Sequence, residues 1–119
     1  MSNKDLNQTT YIEKPWGSEL IWAHTQDYVG KILTIQAGQK LSRQYHEIKE
    51  ETLYVISGNV LLELGPEDNI ASYNLSPGDS FHLKPKTIHR MIGITNCVLA
   101  EVSTPHLSDV VRLQDEYGR

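Results

Sequence analysis

Gln44, His46, Glu51 and His89 are the side chains of this sequence that could hold a metal together. They lie in two glycine-bounded blocks, Gly38-x5-Gln44-x-His46-x4-Glu51-x6-Gly58 and, twenty residues on, Gly78-x10-His89. An amide oxygen, two imidazoles and a carboxylate form a donor set that suits a divalent transition metal and leaves room for a substrate. Metal-centred chemistry is therefore the first expectation.

Elements must bring these groups together. Successive side chains on a strand face opposite ways, so Gln44 and His46 share a side. Glu51 opens the run Glu-Thr-Leu-Tyr-Val-Ile-Ser-Gly, whose β-branched and aromatic content reads as strand. A hairpin around residues 47–50 would return Glu51 beside His46. His89 follows the strand breakers Gly78, Asp79 and Pro85, and only the fold can deliver it.

Short strand signals recur at 19–22, 29–36, 41–46, 52–56, 59–64, 70–75, 80–83, 89–94 and 97–102, separated by Gly, Pro, Asn and Asp clusters. About nine short strands without a long helical period predict an all-β sandwich or small barrel. Within the fourth and just before it, Glu51, Leu53 and Val55 share one face and Thr52, Tyr54 and Ile56 the other. Apolar residues on both sides predict a face against the core and a face against a second sheet or subunit. Residues 1 to about 10 read as a loose arm, and 107–119 as a short helix or irregular tail.

At 119 residues the chain has the length of one domain, 1–119. Eleven Lys and Arg against fifteen Asp and Glu give a net charge of −4, with the basic residues dispersed, so neither nucleic acid nor an anionic membrane is an expected partner. No apolar run has the length of a membrane span, and the start lacks a signal-peptide core, which predicts a soluble cytoplasmic protein. Cys97, the one cysteine, sits in an apolar run and reads as a small hydrophobe. Apolar residues on both strand faces also predict a homodimer.

The two blocks resemble the cupin signature, G-x5-H-x-H-x3-4-E-x6-G and G-x5-P-x-G-x2-H-x3-N. Gln44 stands at the first histidine position; Lys84 and Lys86 replace the proline and glycine of the second block, and Gly93 its asparagine. Lys14-Pro15-Trp16-Gly17, Gly38-x2-Leu41-Ser42-x-Gln44-x-His46, His89-Arg90 and the ending from Asp109 to Arg119 look like the cupin domain of type II mannose-6-phosphate isomerases. In that family the domain is often fused to a mannose-1-phosphate guanylyltransferase, and nothing of this sequence resembles that part. The family usually reads Gln-x-His-x-His-Arg-x-Glu, and here Ile48 and Lys49 occupy the second histidine and the arginine.

The resemblance implies a single-domain cupin, a double-stranded β-helix or jelly-roll barrel, with Gln44, His46, Glu51 and His89 binding one divalent metal. Zinc is the expected ion, with manganese, iron, nickel and cobalt as alternatives. It further implies carbohydrate metabolism: an aldose–ketose isomerase of the mannose 6-phosphate/fructose 6-phosphate type acting on a small sugar phosphate. A base must then move a proton between two carbons, and His82, Glu101 and Lys31 are the candidates. His82 alternates with Ser80 and Lys84, facing either solvent or the barrel mouth; Lys31 and Glu101 are charged positions among apolar neighbours. Arg112, in the tail motif, is the candidate phosphate ligand. A metal-dependent cupin dioxygenase and a non-catalytic sugar-binding or regulatory cupin are the alternative functions.

Overall fold

A computed structural model describes residue 6 and residues 8–118. None of these is helical, as the turn-rich strand pattern requires. Eleven strands form: β1 Thr10–Lys14, β2 Gly17–His24, β3 Val29–Ile35, β4 Arg43–Tyr45, β5 Glu51–Ser57, β6 Val60–Leu64, β7 Ala71–Leu75, β8 Ser80–Leu83, β9 His89–Gly93, β10 Cys97–Ser103 and β11 Val111–Gln114. They build a six-stranded sheet in the order β1-β2-β3-β10-β5-β8 and a five-stranded sheet in the order β11-β4-β9-β6-β7. All pairings are antiparallel.

The core lies between the inner faces. Leu33 and Ile35 from β3, Leu53 and Val55 from β5, Val60 and Leu62 from β6 and Leu99 from β10 are almost wholly buried. Each alternates with a more exposed neighbour, the period-2 signature of a strand with one face covered. Tyr73 on β7 and Phe81 on β8 link the two sheets, their rings tilted by 44° with centroids 5.8 Å apart. A cavity remains between the sheets, and charged side chains line part of it.

Three expectations change. Residues 47–50 do not make a hairpin: β4 and β5 belong to different sheets, so this connection crosses from one sheet to the other. The tail is neither helical nor irregular throughout, because β11 adds an edge strand beside β4 with Arg112 opposite Gln44. Of the expected loose arm, residues 1–5 and 7 lie outside the described residues, while Thr10 already opens β1, paired with Ile21.

Gly58 closes the first motif for a steric reason. Its φ is +75°, and a Cβ there would stand 2.1 Å from the Asn96 carbonyl oxygen. Only glycine lets β5 turn into β6 against that backbone.

Candidate metal centre

β4 delivers Gln44 and, one residue past its end, His46; β5 begins with Glu51 and β9 with His89. The β4–β9 pairing sets Gln44 opposite His89. The result is a compact cluster in which one ligand atom each of His46, Glu51 and His89 lies within 4.8 Å of the others. All three are buried.

The hydrogen bonds fix which ring atoms face the cluster. His46 Nδ1 lies 2.5 Å from the Asp109 carbonyl and His89 Nδ1 lies 2.9 Å from the Thr87 carbonyl. A carbonyl only accepts, so both Nδ1 atoms carry a proton, and each Nε2 faces the cluster with a lone pair to offer in the neutral ring. Those atoms stand 3.2 Å (His46) and 3.5 Å (His89) from Glu51 Oε1. His46 Nε2 is wholly buried and has no hydrogen-bond partner among the described residues.

Ionisation favours ligation as well. Burial lowers the His89 pKa against the pull of Glu51, which keeps the imidazole neutral. Burial alone would raise Glu51, yet the adjoining His46 and Glu101 side chains and the charge of Lys49 hold it well below the usual carboxylate range. Two imidazoles and an ionised carboxylate, with a buried ring nitrogen that has no hydrogen-bond partner among the described residues, fit a divalent metal. Gln44 borders the same cavity, its Oε1 accepting from Ser42 Oγ at 2.6 Å.

The centre opens on a cavity of about 260 Å³ between the sheets, with Trp16, Leu33, Leu41 and Met91 on its apolar wall. Its polar wall holds Glu101 and Lys31, which are direct cross-strand partners on β10 and β3. Burial and the neighbouring Glu51 charge raise the Glu101 pKa to about 8, with Lys49 opposing. Lys31 is ion-paired with Glu19, which Lys14 also approaches at 3.4 Å. Arg112 reaches the same cavity from the tail strand.

His82 stands elsewhere. It is exposed on β8, bonded to the equally exposed Glu50, and does not border the cavity. Of the two orientations open to it in the sequence, the structure has the solvent-facing one. Arg90 turns away from the metal cluster: its Nε donates to the Leu41 carbonyl at 2.8 Å and its Nη2 to Glu116 at 2.7 Å.

Two residues at the site escaped sequence reasoning. Lys49 is buried with Nζ 3.5 Å from Glu51 Oε2 and 3.3 Å from Glu101 Oε2. Burial would lower its pKa, but those two carboxylates raise it, so it is a fixed cation beside the cluster. Its alignment with the arginine of the family pattern was the available signal. Glu19 gave none, since one glutamate inside a strand of mixed pattern looks like any solvated charge. Ile48, at the place of the family's second histidine, is 62% exposed, outside the cluster.

Comparison with known proteins agrees with this architecture. The cupin domain family matches residues 31–103. The mannose-1-phosphate guanylyltransferase RfbM of Salmonella typhimurium is 27% identical over 96% of this chain, and the chain spans 24% of that protein's length. Among solved structures, KdgF from Halomonas sp. superposes with a TM-score of 0.72 at 24% identity, covering 82% of this chain and 86% of its own. CapF from Staphylococcus aureus, a capsular polysaccharide assembling protein, gives 0.77 at 17% identity over 96% of this chain and 37% of its own. Pac13, a nucleoside dehydratase from Streptomyces, gives 0.76 at 13% identity over 92% and 88%. With the family match covering both motif blocks, this chain belongs to the cupin domain family.

Proposed function

We propose that this chain is a metal-dependent isomerase that interconverts an aldose phosphate and a ketose phosphate of the mannose 6-phosphate/fructose 6-phosphate type. The observation that carries the reading is the convergence of His46 Nε2, His89 Nε2 and Glu51 Oε1 beside the buried acid Glu101 in one cavity. The mannose-1-phosphate substrate named for RfbM supports a phosphorylated hexose. In this reading Gln44, His46, Glu51 and His89 would hold one divalent ion, zinc first, which would supply Lewis-acid stabilisation of negative charge on a sugar oxygen.

The chain's own groups then move the protons. Glu101 acts as the base in its ionised form, which grows as pH rises toward its pKa of about 8: it takes the C2 proton and returns it to C1, while the O2 proton passes to O1. Atoms and electrons balance without an oxidant. Lys31, held by Glu19, faces Glu101 across the strands and orients a sugar hydroxyl. Lys49 fixes both carboxylates. Arg112 at the cavity holds the phosphate, as a guanidinium does best in a bidentate contact.

Mannose 6-phosphate in deuterated water tests this. The C2 proton should exchange with solvent, stop exchanging on addition of chelator, and resume when zinc is restored. Arg112→Ala should raise KM for the phosphorylated sugar about tenfold to a hundredfold, the worth of a charge-assisted hydrogen bond, and leave the free sugar nearly unaffected. No exchange in the metal-loaded protein would exclude the isomerase and leave a sugar-binding module.

A second reading has a specific observation behind it. Two histidines and one carboxylate are also the facial triad of non-haem iron oxygenases. Oxygen consumption by the Fe(II)-loaded protein would favour that chemistry over isomerisation.

A further inference from the structure

One residue of the tail gathers four consecutive donors from the connection between the two ligand strands. Asp109 Oδ1 accepts the Glu47 N–H at 3.1 Å, and its Oδ2 accepts those of Ile48 at 2.8 Å and Lys49 at 2.9 Å. Its main-chain oxygen takes the His46 Nδ1–H. Successive amides aimed at one carboxylate form an anion-binding nest, here filled from 60 residues away in sequence.

This connection begins at His46, carries Lys49 and ends at Glu51, so it sets the spacing of two ligands and the cation beside them. Without an anion in the nest, three N–H groups of residues 47–49 would turn to water and the span would relax. Glu50 is tied separately: its N–H donates to Thr104 Oγ1 at 3.1 Å and its carbonyl accepts the Thr104 N–H at 3.0 Å. Residues 104–109 therefore brace the whole crossing from sheet to sheet.

We propose that Asp109 is the positioning residue of the metal centre, holding residues 46–49 so that His46 Nε2 meets Glu51 and His89 at ligand spacing. The proposal rests on the metal reading above and adds a residue that is not itself a ligand. Outer partners that hold ligands in place are worth about tenfold to a hundredfold in metal affinity; here the Asp109 carbonyl, kept in any variant, holds the His46 ring, and the Asp109 carboxylate holds the chain segment that carries it.

The test uses the full chain as wild type, Asp109→Ala and Asp109→Asn. In the metal-free protein Asp109→Ala should speed amide exchange at residues 47–49 while the amides of β3 and β10 keep their protection. Chelator competition should show zinc bound about ten to a hundred times more weakly, and the visible spectrum of the Co(II)-loaded protein should change. Asp109→Asn keeps one acceptor oxygen and should fall between the two. Should Asp109→Ala fail to fold, Asp109→Asn decides, an intermediate affinity supporting the proposal and full affinity overturning it. Wild-type zinc affinity and an unchanged Co(II) spectrum in Asp109→Ala would also overturn it. Failure of the metal reading looks different: the wild type itself takes up neither ion. Exchange at 47–49 then decides alone, faster exchange upholding Asp109 as the brace of the crossing and unchanged exchange overturning it.

Discussion

Lys86 holds φ at +67°, the one left-handed residue other than glycine among those described, and it stands where the cupin pattern has glycine. Its amide donates to the His46 carbonyl, so the turn it makes is part of the site. A left-handed conformation costs a residue with a Cβ about 1 kcal/mol, and glycine loses a similar amount of chain entropy on folding. Lys86→Gly should therefore change unfolding free energy by less than about 1 kcal/mol in denaturant titrations, whereas Lys86→Val, β-branched, should destabilise by more. Glu19 gives the pH dependence. Burial raises its pKa, but hydrogen bonding and charge from Lys31, then Lys14, leave it lowered from 4.5. A depressed carboxylate contributes stability that is complete above its unfolded value and is lost as pH falls through its folded one. The stability gap between wild type and Glu19→Gln should thus be full near neutrality and close below about pH 4.5. At neutral pH the variant strands Lys31 without its main counter-ion, at a cost of about 3 kcal/mol or more. A gap that stays constant down to pH 3 would show that the ionisation of Glu19 is not what stabilises the fold. At the ligands, His46→Ala and His89→Ala should each abolish the binding of about one metal ion per chain, because the chelate geometry is lost with any one donor. Equal metal content in wild type and both variants would remove the assignment.

At the scale of elements, alternation and turn residues made the inner strands readable. Leu53 and Val55 bury on the face of Glu51 while Tyr54 and Ile56 are exposed, as period 2 requires. The grouping of Gln44, His46, Glu51 and His89 around one cavity was expected from the resemblance to the cupin signature, while spacing alone left His89 to the fold. The sheet that each strand joins was not. A pleat records which way a side chain faces, not which neighbour supplies its hydrogen bonds, so the crossing at 46–50 looked like a hairpin. β11 was missed because four residues with two exposed side chains carry almost no pattern, and its strand character comes from pairing with β4. Lys49 was missed for a related reason: its burial arises from Glu51 and Glu101, which meet it only in the folded chain. Arg90 shows how the tail is tied down from the opposite side. Its guanidinium is buried and satisfies the Leu41 carbonyl, so Arg90→Ala should cost about 1–3 kcal/mol for the carbonyl left without a partner. Its release of Glu116 should add little, because that carboxylate is 47% exposed. Thermal unfolding of Arg90→Ala beside Glu116→Ala separates the two contributions, and equal losses would contradict the burial argument.

For the molecule as a whole, the outer face of the six-stranded sheet is the surface that the fold leaves apolar. Leu20, Ile32, Ala100 and Tyr54 lie opposite one another in a row across β2, β3, β10 and β5. Beside that row Val102 is 53% exposed, and Trp22, at the irregularity between Ile21 and Ala23, lays its indole over Gly30, where a Cβ would stand 2.7 Å from the ring. A β-sheet presents its side chains in flat rows, so a second copy turned by two-fold symmetry can lay the same rows against these, and such interfaces bury about 800 Å² per partner. The cavity opens between the sheets, away from this face, so pairing would leave the metal centre accessible. We expect a dimer at micromolar concentration in sedimentation equilibrium. Tyr54→Glu combined with Val102→Asp should give a monomer, because each copy would bury uncompensated charge at the centre of the contact. Both side chains are exposed, on the strand face opposite to Glu51, so that monomer should still take up its metal. A wild-type monomer, or a dimer untouched by the double substitution, would place the self-contact elsewhere or remove it.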